Sequence, residues 1–293
     1  MSHRFAFAIP VLCALVAHAS GQSDRTSPAD SAFLNEVREN LSRAEQIAHL
    51  YSYKERRTDV HTNPFGRIGT GDTRVLEVYP SPNRQLTFRR VIELNGVPVT
   101  EAELREQERE YHQRASDIHA RLSTEGIDDR TARERAEAPA RQRAQNRLDD
   151  ILRALVFDVT RREARNGVET VVVTFRARPD VLPTTREGRI AKSFKGTIWI
   201  QEKAHELMDI EAVSTDDIVF GGFIARISEG TRGMMTRREV APGVWMPTRA
   251  TFTGEGRALL FRKLKIDYSV EWFDYKKMTA GSSIGGLDPG IEH

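Results

Sequence analysis

Between Phe194 and Phe273 the sequence alternates apolar and polar residues in one segment after another, and this pattern commits the chain to an antiparallel sheet. The last segment is the clearest. Leu264, Ile266, Tyr268, Val270 and Trp272 take one side, and Lys263, Lys265, Asp267, Ser269 and Glu271 take the other. Strict period-two alternation marks a strand with one dry and one wet face. Phe194 to Ile200 and Phe220 to Ile227 repeat the theme, and Met208, Ile210 and Ala212 alternate with Asp209 and Glu211. Ala241-Pro242-Gly243 and Gly254-Glu255-Gly256 supply turns between segments.

Upstream, helices and strands mix. Asp30 caps an expected helix from Ser31 to about Leu50, with Leu34, Val37, Leu41, Ala44, Ile47 and Ala48 as one apolar stripe. Strands follow near Tyr51–His61, Arg74–Tyr79 and Gln85–Leu94, the last ended by Asn95-Gly96. Thr100 and Glu103 form a capping box for a helix with Leu104, Tyr111, Ile118 and Leu122 on one side. A second helix is expected from about Arg141 to Val156, separated from the first by Pro139. The block 101–156 holds 11 Arg against 13 Asp+Glu and one aromatic, Tyr111, so it reads as a solvated helical face and not as a nucleic-acid stripe. Strands at Phe157–Glu163 and Val168–Arg178 flank the hairpin turn Asn166-Gly167, and Pro179–Lys192 reads as a polar loop.

The N-terminus carries an export signal: Arg4, an apolar run from Phe5 to Ala17, and the small-x-small pattern Ala17-His18-Ala19. The run is too short to span a bilayer, so it reads as a cleaved secretory signal, and no transmembrane segment is expected in the mature chain. Cleavage removes Cys13, the single cysteine, and leaves a chain that packing alone must hold. With a formal net charge of +2 the chain has no general attraction for nucleic acid. The expected organisation is a signal peptide 1–19, a flexible leader 20–30, one domain 31–277 with a helical insertion 101–156, and a disordered tail 278–293.

No catalytic constellation survives geometric tests. Gly281-Ser282-Ser283-Ile284-Gly285 matches a nucleophile elbow in letters only, because its flanks are tail sequence. His112 and His119 are seven residues apart, about 10.5 Å along a helix, too far for one metal with bonds of about 2 Å. After His205-Glu206, Asp209 stands where a zinc-protease motif needs its second His. Asp149-Asp150 and Asp216-Asp217 read as turn or surface groups. No enzyme, no metal and no cofactor are expected.

Gly196-Thr197-Ile198-Trp199-Ile200 with Asp209-Ile210, Gly243-Val244-Trp245-Met246-Pro247-Thr248 and Phe273-Asp274-Tyr275-Lys276-Lys277 resemble segments of the periplasmic lipoprotein carriers, the LolA-like or outer-membrane lipoprotein-sorting family. The resemblance implies an α+β fold in which a strongly curved antiparallel sheet, an unclosed β-barrel of about ten strands, has helices over its concave face. It also implies transport of lipid or of lipoprotein acyl chains in a hydrophobic cavity, in support of outer-membrane biogenesis. Burying an acyl chain contributes about 0.8 kcal/mol per methylene, so a large apolar surface is the physical requirement. The expected cavity residues are Ile198, Ile200, Met208, Ile210, Leu264, Ile266, Tyr268, Val270 and Trp272. The expected protein is a periplasmic monomer. The alternative is a periplasmic sensor or interaction module that docks an envelope protein through the charged helical block.

Overall fold

The computed structural model describes residues 28–58, 71–81, 83–124, 150–220, 225–258 and 262–279. The export segment 1–19, most of the leader, the beginning of the second expected helix, His61, the Gly281–Gly285 match and the tail from residue 280 lie outside the described residues. Helix α1 runs Pro28–Ile47. It starts three residues before the expected Ser31, at a proline, whose missing N–H is no loss in a first helical turn. A 3-10 turn, Ala48–Leu50, leads into β1, Tyr51–Thr58.

The remaining strands are β2 (Thr73–Tyr79), β3 (Phe88–Leu94), β4 (Val97–Pro98), β5 (Leu155–Arg165), β6 (Val168–Ala177), β7 (Phe194–Gln201), β8 (Glu206–Ser214), β9 (Ile218–Phe220), β10 (Ala225–Ile227), β11 (Arg232–Ala241), β12 (Val244–Ala258) and β13 (Arg262–Lys277). Helix α2 spans Glu101–Thr124 and α3 spans Arg186–Lys192. The strands hydrogen-bond in the order β4-β3-β2-β1-β13-β12-β11-β8-β7-β6-β5, with β10 on β12 and β9 on β10. Among the described residues this is an α+β fold with one thirteen-stranded sheet whose end strands do not pair, so it is not closed into a barrel. The count exceeds ten because β4, β9 and β10 are only two or three residues long. Such short pieces carry too few alternations to be read from sequence.

The chain divides into two compact units, residues 1–44, 59–71 and 144–270, and residues 45–58, 72–143 and 271–293. In the first unit, the register sets Ile198 opposite Ile210, Val173 opposite Ile198, Val171 opposite Ile200 and Met235 opposite Ile210. These buried residues make one continuous apolar face. Phe175 lies opposite Gly196, and a Cβ at Gly196 would stand 2.7 Å from the Phe175 ring and 2.0 Å from the Glu211 carbonyl oxygen. Only glycine leaves room for that ring. Helix α1 is tied to the β7–β8 turn: Asn40 Nδ2 donates to the carbonyls of Ala204 and His205, Glu36 pairs with His205, and Phe33 meets the His205 ring edge-on.

Polar positions of this unit depart from the sequence expectation in three places. The wet-face residue Asp209 is 3% exposed, because Arg165 and Arg238 close over it at 2.7 and 3.1 Å. Arg165 also pairs with Glu211 at 3.0 Å and stacks 3.8 Å above the Trp199 ring, whose indole N–H donates to Glu163 at 2.7 Å. The polar loop 179–192 contains α3, too short for periodicity to show, with Thr185 as its N-cap accepting from Gly188 N. Asp150, expected at the surface, is 2% exposed. One carboxylate oxygen accepts from Thr184 N and Oγ1, the other from Thr185 N and Oγ1 at 2.7 Å each, and Arg153 donates at 2.9 Å. Burial alone would raise this carboxyl, but the donors outweigh it and bring the pKa down to about 2. The helical segment holding Asp150 gives way to β5 at Leu155, not at Phe157 as expected, since Leu155 already pairs with Ala177. Leu155 fits both the helical stripe and the inward face of a strand, which hid the boundary.

The second unit pairs β1, β2, β3 and β4 in antiparallel succession. Lys54 pairs with Asp274 and Arg56 with Glu271, and Tyr53 rests against Tyr275 at 5.5 Å. The Asn95-Gly96 turn has the positive φ values of 51° and 81° that its residues allow, as does Asn166-Gly167 with 54° and 77° in the other unit. The expected capping box is present, with Glu103 Oε2 accepting from Thr100 N at 2.7 Å and Thr100 Oγ1 from Glu103 N at 3.3 Å.

Candidate functional site

Helix α2 is fixed to β3 before it reaches the site. The Gln107 amide spans the backbone of Val91, accepting from its N–H at 2.7 Å and donating to its carbonyl at 3.0 Å. A side chain thus completes the edge hydrogen bonds that another strand would make. Arg90 pairs with Glu77 and Glu108, both at 2.6 Å. One turn on, Tyr111 meets Phe88 with ring centroids 4.5 Å apart, and its hydroxyl donates to the Leu86 carbonyl at 3.0 Å. Phe88, Tyr111 and Ala115 form a buried cluster backed by Tyr79 and Leu86.

Beyond this clamp the same helix borders an open cleft of about 1040 Å³ within the second unit. From α2 come Arg114, Asp117, Ile118 and Arg121, an i, i+3, i+4, i+7 stripe that one helix face presents together. The last turn of α1 and the 3-10 turn after it add Glu45, Ala48 and His49. Strands β1 and β3 add Tyr53 and Arg89, and Pro80, Ser81, Gln85 and Thr87 come from the β2–β3 connection. That connection is shaped by its own hydrogen bonds: Asn83 Oδ1 accepts from Gln85 N, the Asn83 carbonyl from Leu86 N, and Thr87 Oγ1 from Ser81 N.

The lining carries three guanidiniums against two carboxylates. Arg89 lies 3.9 Å from the buried Glu55, and Arg114 lies 5.7 Å from the Tyr111 ring centroid. Asp117 accepts from Gln113 Nε2 at 3.1 Å. Burial pushes the Tyr53 phenol above its ordinary range, Arg89 pulls it back, and Glu55 adds to the rise. The cleft therefore joins a cationic excess to apolar surface from Ala48, Tyr53, Pro80 and Ile118, a combination suited to holding an amphiphile.

The residues expected from sequence lie elsewhere. Ile198, Ile200, Met208 and Ile210 are at most 2% exposed, packed on the apolar face of the first unit. Ile266 and Val270 are buried on β13, Tyr268 and Trp272 are half-buried, and the side chain of Leu264 lies outside the described ones. None of the eight whose side chains are described borders the cleft. The cleft residues were missed because they come from three stretches far apart in the chain. The one local sign was the stripe Arg114, Asp117, Ile118, Arg121, which alone looks like a solvated helix face. Among the described residues, no group of His, Cys, Asp and Glu is arranged to hold a metal, and no helix is long and apolar enough to cross a membrane.

No protein-family model and no curated protein matches the chain. Three solved structures do. One bears the name outer membrane lipoprotein-sorting protein domain, from Vibrio parahaemolyticus, with 8% identity and a TM-score of 0.30 over 84% of this chain and 94% of the other. A second is a LolA superfamily protein from Nitrosomonas europaea, with 10% identity and a TM-score of 0.27 over 83% and 94%. The third is a DUF1329 family protein from Desulfovibrio piger, with 8% identity and a TM-score of 0.26 over 85% and 95%.

Proposed function

We propose that this chain is an exported, periplasmic, non-catalytic carrier that binds lipid or the acyl chains of lipoproteins. The observation that carries the reading is the open cleft of about 1040 Å³ walled by α2 and the end of α1, at the upper end of the size of small-molecule sites. Its apolar lining can cover part of a chain, and its arginines leave a place for a polar end. The strand positions Ile198, Ile200, Met208, Ile210, Leu264, Ile266, Tyr268, Val270 and Trp272 stay in the proposal as a separate apolar lining for an acyl chain, one whose packed side chains would have to part to admit it. Export is supported by the Arg4 to Ala19 pattern of the sequence.

Native mass spectrometry of the protein from its own compartment, followed by organic extraction, tests this. A lipid or acylated peptide at near one per chain is the expected result. A protein that carries nothing and takes up no fluorescent fatty acid overturns the reading.

A second reading, docking of an envelope protein, is favoured by the exposed run Glu101, Glu103, Arg105, Glu106, Arg109 and Glu110 on α2. Charge reversal at Arg105 and Arg109 would then abolish partner capture and leave lipid uptake unchanged.

A further inference from the structure

We infer that the cleft of the second unit selects a ligand with a single anionic head, a phosphate or a carboxylate, on an apolar body. This rests on the carrier reading and names its ligand class. Three guanidiniums, those of Arg89, Arg114 and Arg121, border the same space from two different elements. A guanidinium is the side chain best matched to phosphate or carboxylate, because its parallel N–H groups engage two oxygens at once. Arg114 and Arg121 are seven residues apart on α2, about 10.5 Å along its axis, with Ile118 between them on the same face. An anion bound at either end of this stripe would leave its apolar body beside Ile118, Ala48 and Tyr53.

The opposing charges set the limit. Glu45 and Asp117 border the same cleft, so its arginines exceed its carboxylates by one. That excess matches one anionic group and disfavours a polyanion, whose further charges would face the two carboxylates. Arg89 lies 3.9 Å from Glu55, and Arg114 lies 5.7 Å from the Tyr111 ring centroid.

The test is calorimetric titration of the full mature chain with dihexanoyl phosphatidylglycerol below its micelle-forming concentration, with dihexanoyl phosphatidylcholine, and with glycerol phosphate. Phosphatidylglycerol should bind about tenfold or more tighter than the other two, as expected when one charge-assisted contact distinguishes them. Arg114→Gln with Arg121→Gln, and separately Arg89→Gln, should each reduce that affinity about tenfold. Arg105→Gln, an exposed change on the same helix away from the cleft, should not, and circular dichroism should show all variants folded. Equal binding of phosphatidylcholine, or full affinity in the Arg114 and Arg121 variant, overturns the inference while leaving the carrier reading in place. Glycerol phosphate binding as tightly as the lipid overturns the apolar half and makes the cleft a site for free phosphoesters. Binding of neither lipid, with a fluorescent fatty acid also refused, overturns both.

Discussion

Asp150→Asn should remove a pH-dependent part of the stability of this protein. The carboxylate accepts from Thr184 and Thr185, backbone and hydroxyl alike, and from Arg153, while itself 2% exposed. Its pKa of about 2 lies below the ordinary value of 3.8. The difference corresponds to roughly 2 kcal/mol of stability at neutral pH, at about 1.4 kcal/mol per pKa unit. The sign follows from the direction. A depressed carboxyl stabilises the fold above its unfolded pKa, and that contribution fades as the pH falls from about 5 to about 2. Asparagine has the shape but presents an N–H₂ to donors that need an acceptor, so the total loss at pH 7 should be about 2–4 kcal/mol. Urea unfolding at pH 7, 5 and 3 reads both quantities. The wild-type midpoint should drop more steeply than that of Asp150→Asn over this range. Parallel pH profiles for the two proteins would refute the assignment, and so would a loss below 1 kcal/mol at pH 7, the range of an ordinary surface contact.

Three other perturbations follow from particular contacts. Gly196→Ala drives a methyl into the Phe175 ring and the Glu211 carbonyl; thermal unfolding should show a loss of about 2 kcal/mol or more, typical of overpacking, and Gly196→Ala with Phe175→Leu should recover part of it. Gln107→Ala leaves the Val91 N–H and carbonyl without their side-chain partner. It should cost about 1–2 kcal/mol and speed amide exchange at Val91 above that of other β3 residues. Arg165→Ala uncovers Trp199 and strips one cation from Asp209. The emission of Trp199, isolated by replacing Trp245 and Trp272 with Phe, should shift to the red, while unchanged emission would mean that the guanidinium does not shield the ring.

The strand β13 was legible because its residues alternate without a break, and the buried Ile266 and Val270 face away from the exposed Lys265 and Asp267. The start of α2 was legible because Thr100 and Glu103 bond to each other, so the signal is contained in four residues. What escaped depends on distant partners. Asp209 sits where alternation puts a wet residue, and only Arg165 and Arg238 from other strands make it a buried one. From sequence Asp150 reads as a surface group, because Thr184 and Thr185, which supply its donors, are more than thirty residues later. The cleft escaped for the same reason: His49, Arg89 and Arg121 share no local pattern. The nine strand positions rest on apolar alternation, which reports burial and does not separate a packed face from an open one.

The amide of Gln107 and the rings of Tyr111 and Phe88 make α2 a cantilever, anchored near its root and extending along the cleft. Arg121 lies ten residues beyond Tyr111, a lever arm of about 15 Å at 1.5 Å per residue. A tilt of about 5° at the anchor would therefore carry Arg121 roughly 1 Å, with no helical hydrogen bond broken. The width of the opening thus depends on the stiffness of a joint made by the Gln107 amide, the Arg90–Glu108 pair and the packing of Tyr111 and Ala115 on Phe88, and changes at that joint should alter how wide a ligand the cleft admits before they alter which charge it prefers.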